Sequence, residues 1–296
     1  MSSLSLVLLT SLAMIAFAGN SLLCRFALKQ TAIDPATFTT LRLASGAIIL
    51  WFLVQVKGAK ESGHGTWLST LALWGYATGF SFAYVSLPAA TGALLLFGAV
   101  QATMIGFGIW SGERLGGIQI VGFLVALSGL VGLLLPGLAP PPVAGSILML
   151  TAGVSWGLYS LRGRGVGDPT KVTAGNFLLT VPIAVLVTPL MVRQPNLDLV
   201  GIAYATASGG LASGIGYAIW YTALPSLRAT TAATVQLSVP VLTAVGAFVL
   251  LGEPITLRVI LASVAILGGI ALVILNKRNP DPRPKTAPFV TEINSG

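Results

Sequence analysis

Charge is what this chain has least of. Its 296 residues hold 16 Lys or Arg, 8 Asp or Glu and one His, so 8% are charged, against about 25% in an average soluble domain. That scarcity excludes an ordinary water-soluble globule, whose surface needs far more charge to cover it. Cysteine occurs once, at Cys24. An intramolecular disulfide and a cysteine-based metal cluster are therefore excluded, and no metal site is expected. No Lys follows a Gly, so the Walker A phosphate cradle is missing and ATP hydrolysis by that route is ruled out. The one histidine, His64, falls in "KESGHGTW" and reads as a solvated loop residue. HExxH is absent, and the apolar runs hold neither a pair of acids nor a nucleophile with a base, which argues against an intramembrane protease. "AFA" at 16–18 mimics a signal-peptide cleavage site, but no Lys or Arg precedes Arg25, so the basic segment is lacking. Outer-membrane barrels need segments of about ten residues with alternating polarity, and these are missing too.

What the chain does have is apolar length. Hydrophobic residues make up 55% of it. A run of about 20 such residues spans a bilayer as a helix, because its backbone polar groups are satisfied internally. Ten runs are expected as helices: 4–27, 37–56, 67–87, 89–110, 117–135, 143–161, 171–192, 199–222, 229–250 and 257–276. Pro35 precedes the second, Pro88 opens the fourth and Pro136 closes the fifth. The fold class is thus an all-α integral membrane protein.

The net charge of +8 does not point to nucleic acid, since the basic residues are scattered at the ends of the runs. They read instead as topology signals. With both termini in the cytoplasm, 11 of the 16 basic residues fall on the cytoplasmic side, among them Lys57, Arg114, Arg162 and Lys171. Arg25, Lys29, Arg42, Arg193 and Arg258 fall outside. The tail 277–296 is polar and proline-rich and is expected to be a disordered cytoplasmic end.

Short stretches recur. At an offset of 134, Ala18-Gly19 matches Ala152-Gly153, Ser21 matches Ser155, Asp34-Pro35 matches Asp168-Pro169 and Thr39 matches Thr173. Downstream, "YVSLP" at 84–88 parallels "YTALP" at 221–225, and "SGERL" at 111–115 parallels "LGEPI" at 251–255. Two five-helix repeats, 4–135 and 143–276, account for the order of these matches. Five is odd, so the copies enter the membrane from opposite sides. Inverted repeats are the architecture of secondary transporters. A receptor or scaffold has no need of one.

The residues that open the first repeat, "AGNSLLCRFALKQTAIDPATFTTLRLASGAIIL", resemble the drug/metabolite transporter superfamily, EamA type. The resemblance rests on Asn20, Asp34-Pro35, Arg42 and the glycine-glutamate stretches at 112–113 and 252–253. Within the superfamily the chain looks most like the YddG-type aromatic amino acid exporters. It departs at Asn176, which stands where the repeat places a partner for Arg42. The resemblance implies ten helices, both termini cytoplasmic, an inner-membrane location and a central cavity lined by helices 1–4 and 6–9. Helices 5 and 10 are left as scaffold or as contacts of a homodimer.

Several residues could meet a substrate at membrane depth, where polar groups are costly. Tyr76, Phe80 and Tyr84 are four apart and share a helix face. Ser213, Tyr217 and Tyr221 hold the matching places at an offset of 137. Asn20, Gln101 and Gln236 are uncharged hydrogen-bonding groups within runs, and Trp156 and Tyr159 could add an aromatic wall. Arg42 lies little more than one turn into its helix. It either snorkels to the external surface or draws a substrate carboxylate to the outer mouth. Pro182 and Pro240 free backbone carbonyls and mark bends or gates. The expected activity is export of small metabolites, foremost aromatic amino acids. The alternatives are a drug or a nucleotide sugar as substrate. Too few acids lie within the runs for a cation, and too few bases for a doubly charged phosphate ester. No cofactor and no enzymatic activity are expected; the expected partners are the small-molecule substrate and lipid.

Overall fold

Ten helices form where the ten runs lie. The protein is seen here in a computed structural model, which describes residues 3–57, 64–112, 115–135, 140–163, 168–192, 195–227 and 235–276. The helices are α1 (Ser3–Gln30), α2 (Pro35–Lys57), α3 (Trp67–Ser86), α4 (Ala89–Trp110), α5 (Gly117–Leu134), α6 (Val143–Arg162), α7 (Pro169–Met191), α8 (Leu199–Ala223), α9 (Ser238–Leu251) and α10 (Leu257–Leu275). No strand occurs among the described residues. Residues 229–234 of the ninth run, Glu113, Arg114, Arg193 and the tail 277–296 lie outside the described residues.

The repeated Asp-Pro pair starts a helix each time. Asp34 Oδ1 accepts from the backbone N–H groups of Ala36 (3.1 Å) and Thr37 (2.8 Å) at the head of α2. Asp168 Oδ1 accepts from Thr170 (2.8 Å) and Lys171 (3.4 Å) at the head of α7. Each carboxylate meets donors that have no partner within the helix, and the proline that follows needs none.

Eight of the ten helices are long and apolar enough to cross a membrane. The other two differ for separate reasons. Helix α9 has 14 described residues. Helix α3 is diluted by Ser69, Thr70, Tyr76, Ser81 and Tyr84, all buried inside the bundle. Outward faces carry large apolar side chains, such as Leu186, Val249 and Val264, exposed as lipid-facing residues are. The chain is a multi-pass membrane protein.

Helix α5 packs on α10, α2 on α7 and α4 on α9, and the first two pairs run antiparallel. On α5 and α10, Gln119 Nε2 donates to the Val273 carbonyl (3.0 Å), and Gly122 and Gly129 face Gly269 and Ala265. Position numbers rise on one helix as they fall on the other. On α2 and α7 the hydroxyls of Thr40 and Thr188 are 2.7 Å apart, and Gly46 faces Phe177. Some further contacts come in matched pairs. Helix α3 packs on α6 as α8 packs on α1, and α4 packs on α6 as α9 packs on α1.

Helix α8 is irregular at its centre. Ser208–Ile215, "SGGLASGI", is wound as a π-helix. Here a Cβ on Gly209 would run into the carbonyl of Arg42. Only glycine lets α2 and α8 approach so closely. The ninth span is also interrupted. Residues 235–236 are helical, Leu237 is a turn, and α9 begins at Ser238. Pro240 lacks an N–H for the Gln236 carbonyl and its ring crowds that group, so the break falls where the proline acts. Helix α7 continues through Pro182 without a break.

Candidate functional site

A cavity of about 480 Å³ opens at one end of the bundle, within the roughly 300–1,000 Å³ of small-molecule sites. His64, Thr66, Arg162, Pro169 and Leu224 stand at its mouth. They belong to the connections that the charge count assigns to the cytoplasm. His64 is exposed there, so the loop histidine is also a mouth residue. The blind end, furthest along each helix from that mouth, carries Asn20, Ser21, Phe80, Leu96, Phe97 and Ser213.

Among the described residues the walls come from α1, α3, α4, α6, α7 and α8, with Gln236 added from the short helical segment before the turn at Leu237. Helices α5 and α10 contribute nothing, as the resemblance implies. Helix α2 contributes nothing either, against expectation. It is packed against α3, α7 and α8, which screen it from the space.

The aromatic residues form one connected string. Phe80 and Tyr84 have centroids 4.7 Å apart, and Tyr76 and Phe80 5.4 Å. Trp156 lies 4.7 Å from Tyr76 and 5.3 Å from Tyr217, nearly parallel to the latter at 21°. It also stacks on Tyr159 at 5.3 Å, while Tyr217 and Tyr221 are 6.5 Å apart. The two tyrosine stripes are thus bridged by one indole from α6. All but one of these rings line the cavity. Tyr84 does not: it is fully buried, with its hydroxyl on the Ala89 carbonyl at 3.4 Å. Eight residues along an α-helix turn a side chain by about 80° from its starting face, so the stripe has left the cavity by Tyr84.

Two polar networks support the walls. Ser208 Oγ donates to Asn20 Oδ1 (2.6 Å), and Asn20 Nδ2 donates to the Tyr76 hydroxyl (3.3 Å). In the other half, Asn176 Nδ2 donates to the Tyr159 hydroxyl (3.4 Å), and its Oδ1 accepts from the Thr66 N–H (2.9 Å). Asn176 was visible only as the repeat partner of Arg42, yet it lines the cavity. Gln101 is a buried wall residue on α4. Phe17, Thr173 and Trp220 also line the space. Nothing in their spacing set them apart from ordinary packing residues.

Arg42 does not reach either surface. It is 1% exposed. Its Nη2 donates to the Tyr76 hydroxyl at 3.0 Å, and its guanidinium carbon lies 5.2 and 4.7 Å from the Tyr76 and Phe80 ring centres. Neither snorkelling nor a place at an outer mouth describes it, because α3 covers it with two rings.

The end opposite the mouth is closed by charge. Arg25 Nε donates to Glu253 Oε1 at 2.8 Å, and Glu253 Oε2 accepts from the Ala89 N–H at 2.7 Å. Arg25 Nη1 reaches the carbonyls of Tyr84 (2.8 Å) and Val85 (3.1 Å). Lys29 stands 3.9 Å from Glu253. Glu253 therefore pairs and caps at a helix end, buried at 6% exposure. One cluster ties α1, the end of α3, the start of α4 and the segment after α9.

Residues 143–275 match the EamA-like transporter family. An uncharacterised protein of Pseudomonas aeruginosa is 56% identical over 90% of this chain and 94% of its own length. An uncharacterised transporter of Archaeoglobus fulgidus is 27% identical, covering 83% of this chain and 89% of that protein. The threonine/homoserine exporter RhtA of Salmonella typhimurium is 28% identical over 77% of this chain and 78% of its own. A crystal structure superposes with a TM-score of 0.67 at 23% identity, covering 94% of this chain and 100% of the other. That likeness is one of fold.

Proposed function

We propose that the chain, whose residues 143–275 match the EamA-like transporter family, exports amino acids, foremost aromatic ones, across the inner membrane by alternating access through this cavity. The observation that carries the reading is the one-sided opening: a cavity with a mouth at one end and a buried ion-pair cluster at the other. The proposal includes two inverted five-helix units, residues 4–135 and 143–276, with both termini cytoplasmic. In that arrangement the cavity faces the cytoplasm, and exchange of conformation between the units opens the other end.

The chemistry of the walls supports an amino acid. Tyr76, Phe80, Trp156, Tyr159, Tyr217 and Tyr221 offer apolar faces, and hydroxyl and amide groups stand between them. Aromatic amino acids fit that wall best. The relative that exports threonine and homoserine supports the amino acid class, and small hydroxylated amino acids are the second reading. Purified protein in liposomes, preloaded with unlabelled L-phenylalanine or L-threonine, should accumulate the labelled compound by counterflow. Liposomes that accumulate neither, while the protein is folded and inserted, would end the proposal.

A further inference from the structure

Arg42 carries a charge that the protein leaves unanswered. Its side chain is fully buried, and among the described residues no carboxylate pairs with it. Its Nη1 has no hydrogen-bond partner there, and Nη2 has the Tyr76 hydroxyl alone. A buried guanidinium with one neutral acceptor is costly, and the cost falls when an anion comes within reach. Two aromatic faces soften the cost without supplying a counter-charge.

Tyr76 relays that charge into the cavity. Its oxygen accepts two hydrogen bonds, from Arg42 Nη2 and Asn20 Nδ2, and its own proton meets no acceptor among the described residues. A hydroxyl loaded by two donors, one of them cationic, is a strengthened donor in turn. Its complement is an anionic oxygen. Ser213 supplies a second donor. It lines the blind end, is 1% exposed, and its Oγ has no hydrogen-bond partner among the described residues. The π-helix explains why it faces this way. An i to i+5 repeat sets Ser213 one turn beyond Ser208, on the face that already meets Asn20. In an α-helix those two residues would diverge.

We infer that Tyr76 and Ser213, backed by Arg42, form a carboxylate subsite at the blind end of the cavity. It takes the carboxylate of a monocarboxylic solute and leaves the side chain to the Trp156–Tyr159–Tyr217 wall. The inference deepens the amino acid reading and rests on it for biological meaning. The subsite itself is a property of the cavity alone. Arg42 acts through Tyr76 as a positioning residue. The repeat places Asn176 where the first half has Arg42, so the second half lacks the matching guanidinium.

Matched probes test it. Tryptophan fluorescence of the purified full chain, in which Trp156 and Trp220 line the cavity, is titrated with phenylacetate, phenylacetamide, L-phenylalanine and L-phenylalaninamide. Each acid should bind roughly ten- to a hundredfold tighter than its amide, the scale of one or two charge-assisted hydrogen bonds. Arg42→Gln should abolish the preference by weakening the acids and sparing the amides, whereas Arg42→Lys should retain part of it. Ser213→Ala, a small change that does not disturb the buried charge, should reduce the preference even if Arg42→Gln fails to fold. Equal affinity of acid and amide in the unaltered protein overturns the subsite. So does an undiminished preference in Ser213→Ala together with either Arg42 variant. Acid-selective binding without counterflow of any amino acid keeps the subsite and removes the transport reading. Counterflow without acid selectivity does the reverse.

Discussion

Replacing Glu253 by Gln should open the closed end of the bundle. The substitution keeps the shape of the side chain and the acceptor for Ala89, but removes the charge facing Arg25 at 2.8 Å. Taking one partner from a buried ion pair costs about 3–5 kcal/mol, because the other charge is left stranded. Lys29, 39% exposed and 3.9 Å away, adds little, since water screens it. Under the alternating-access proposal the pair forms only while this end is shut. Its loss then moves the shut-to-open equilibrium by roughly two to three and a half powers of ten. The chain carries its own reporter. Cys24 is the only cysteine, is 0% exposed and adjoins Arg25. A membrane-impermeant maleimide should label it slowly in the unaltered protein. In Glu253→Gln the rate should rise steeply from the periplasmic face alone. The double variant Arg25→Gln/Glu253→Gln strands no charge and should fall between the two. Labelling of Glu253→Gln at the unaltered rate, with unaltered counterflow, would refute the gate.

Other outcomes follow from the same geometry. Trp156→Ala removes the ring that joins the two tyrosine stripes and should raise the KM for L-phenylalanine well above any change for L-threonine; equal changes would mean that the wall does not select. Gly209→Ala forces α2 and α8 apart at the Arg42 carbonyl. It should lower the melting temperature of the purified protein by several degrees, corresponding to the roughly 1–3 kcal/mol of an overpacked contact, and an unchanged melting curve would contradict the close approach.

Helix number and placement were legible because lipid imposes a simple rule on composition: length and apolarity fix a span whatever it packs against. The Asp34 and Asp168 starts were legible for a similar reason, since capping is local. The site was legible only where one helix face decides it. Tyr76, Phe80, Tyr217 and Tyr221 follow from spacing, but Tyr84 shows how far a stripe can be trusted before rotation carries it away. Arg42 could not be placed from its own helix. Snorkelling and burial suit the same position, and the choice belongs to Tyr76 and Phe80 on another helix. The π-helical winding of Ser208–Ile215 was hidden as well. Three glycines in eight residues announce close packing, whereas the extra residue per turn arises from how α8 meets α1 and α2. The break at Leu237 was partly signalled by Pro240, whose missing donor acts four residues upstream. Asn176 and Ser213 could have been chosen earlier, as the repeat mates of Arg42 and Tyr76.

At the offset of 134 residues Asn176 answers to Arg42, and the two differ by a full positive charge. Under the two-unit proposal, this one difference leaves the vestibule electrically lopsided. A solute with a negative end therefore has a head and a tail orientation inside, set by the first half alone. Asn176→Arg would redraw that internal field as a mirror of itself without moving a helix.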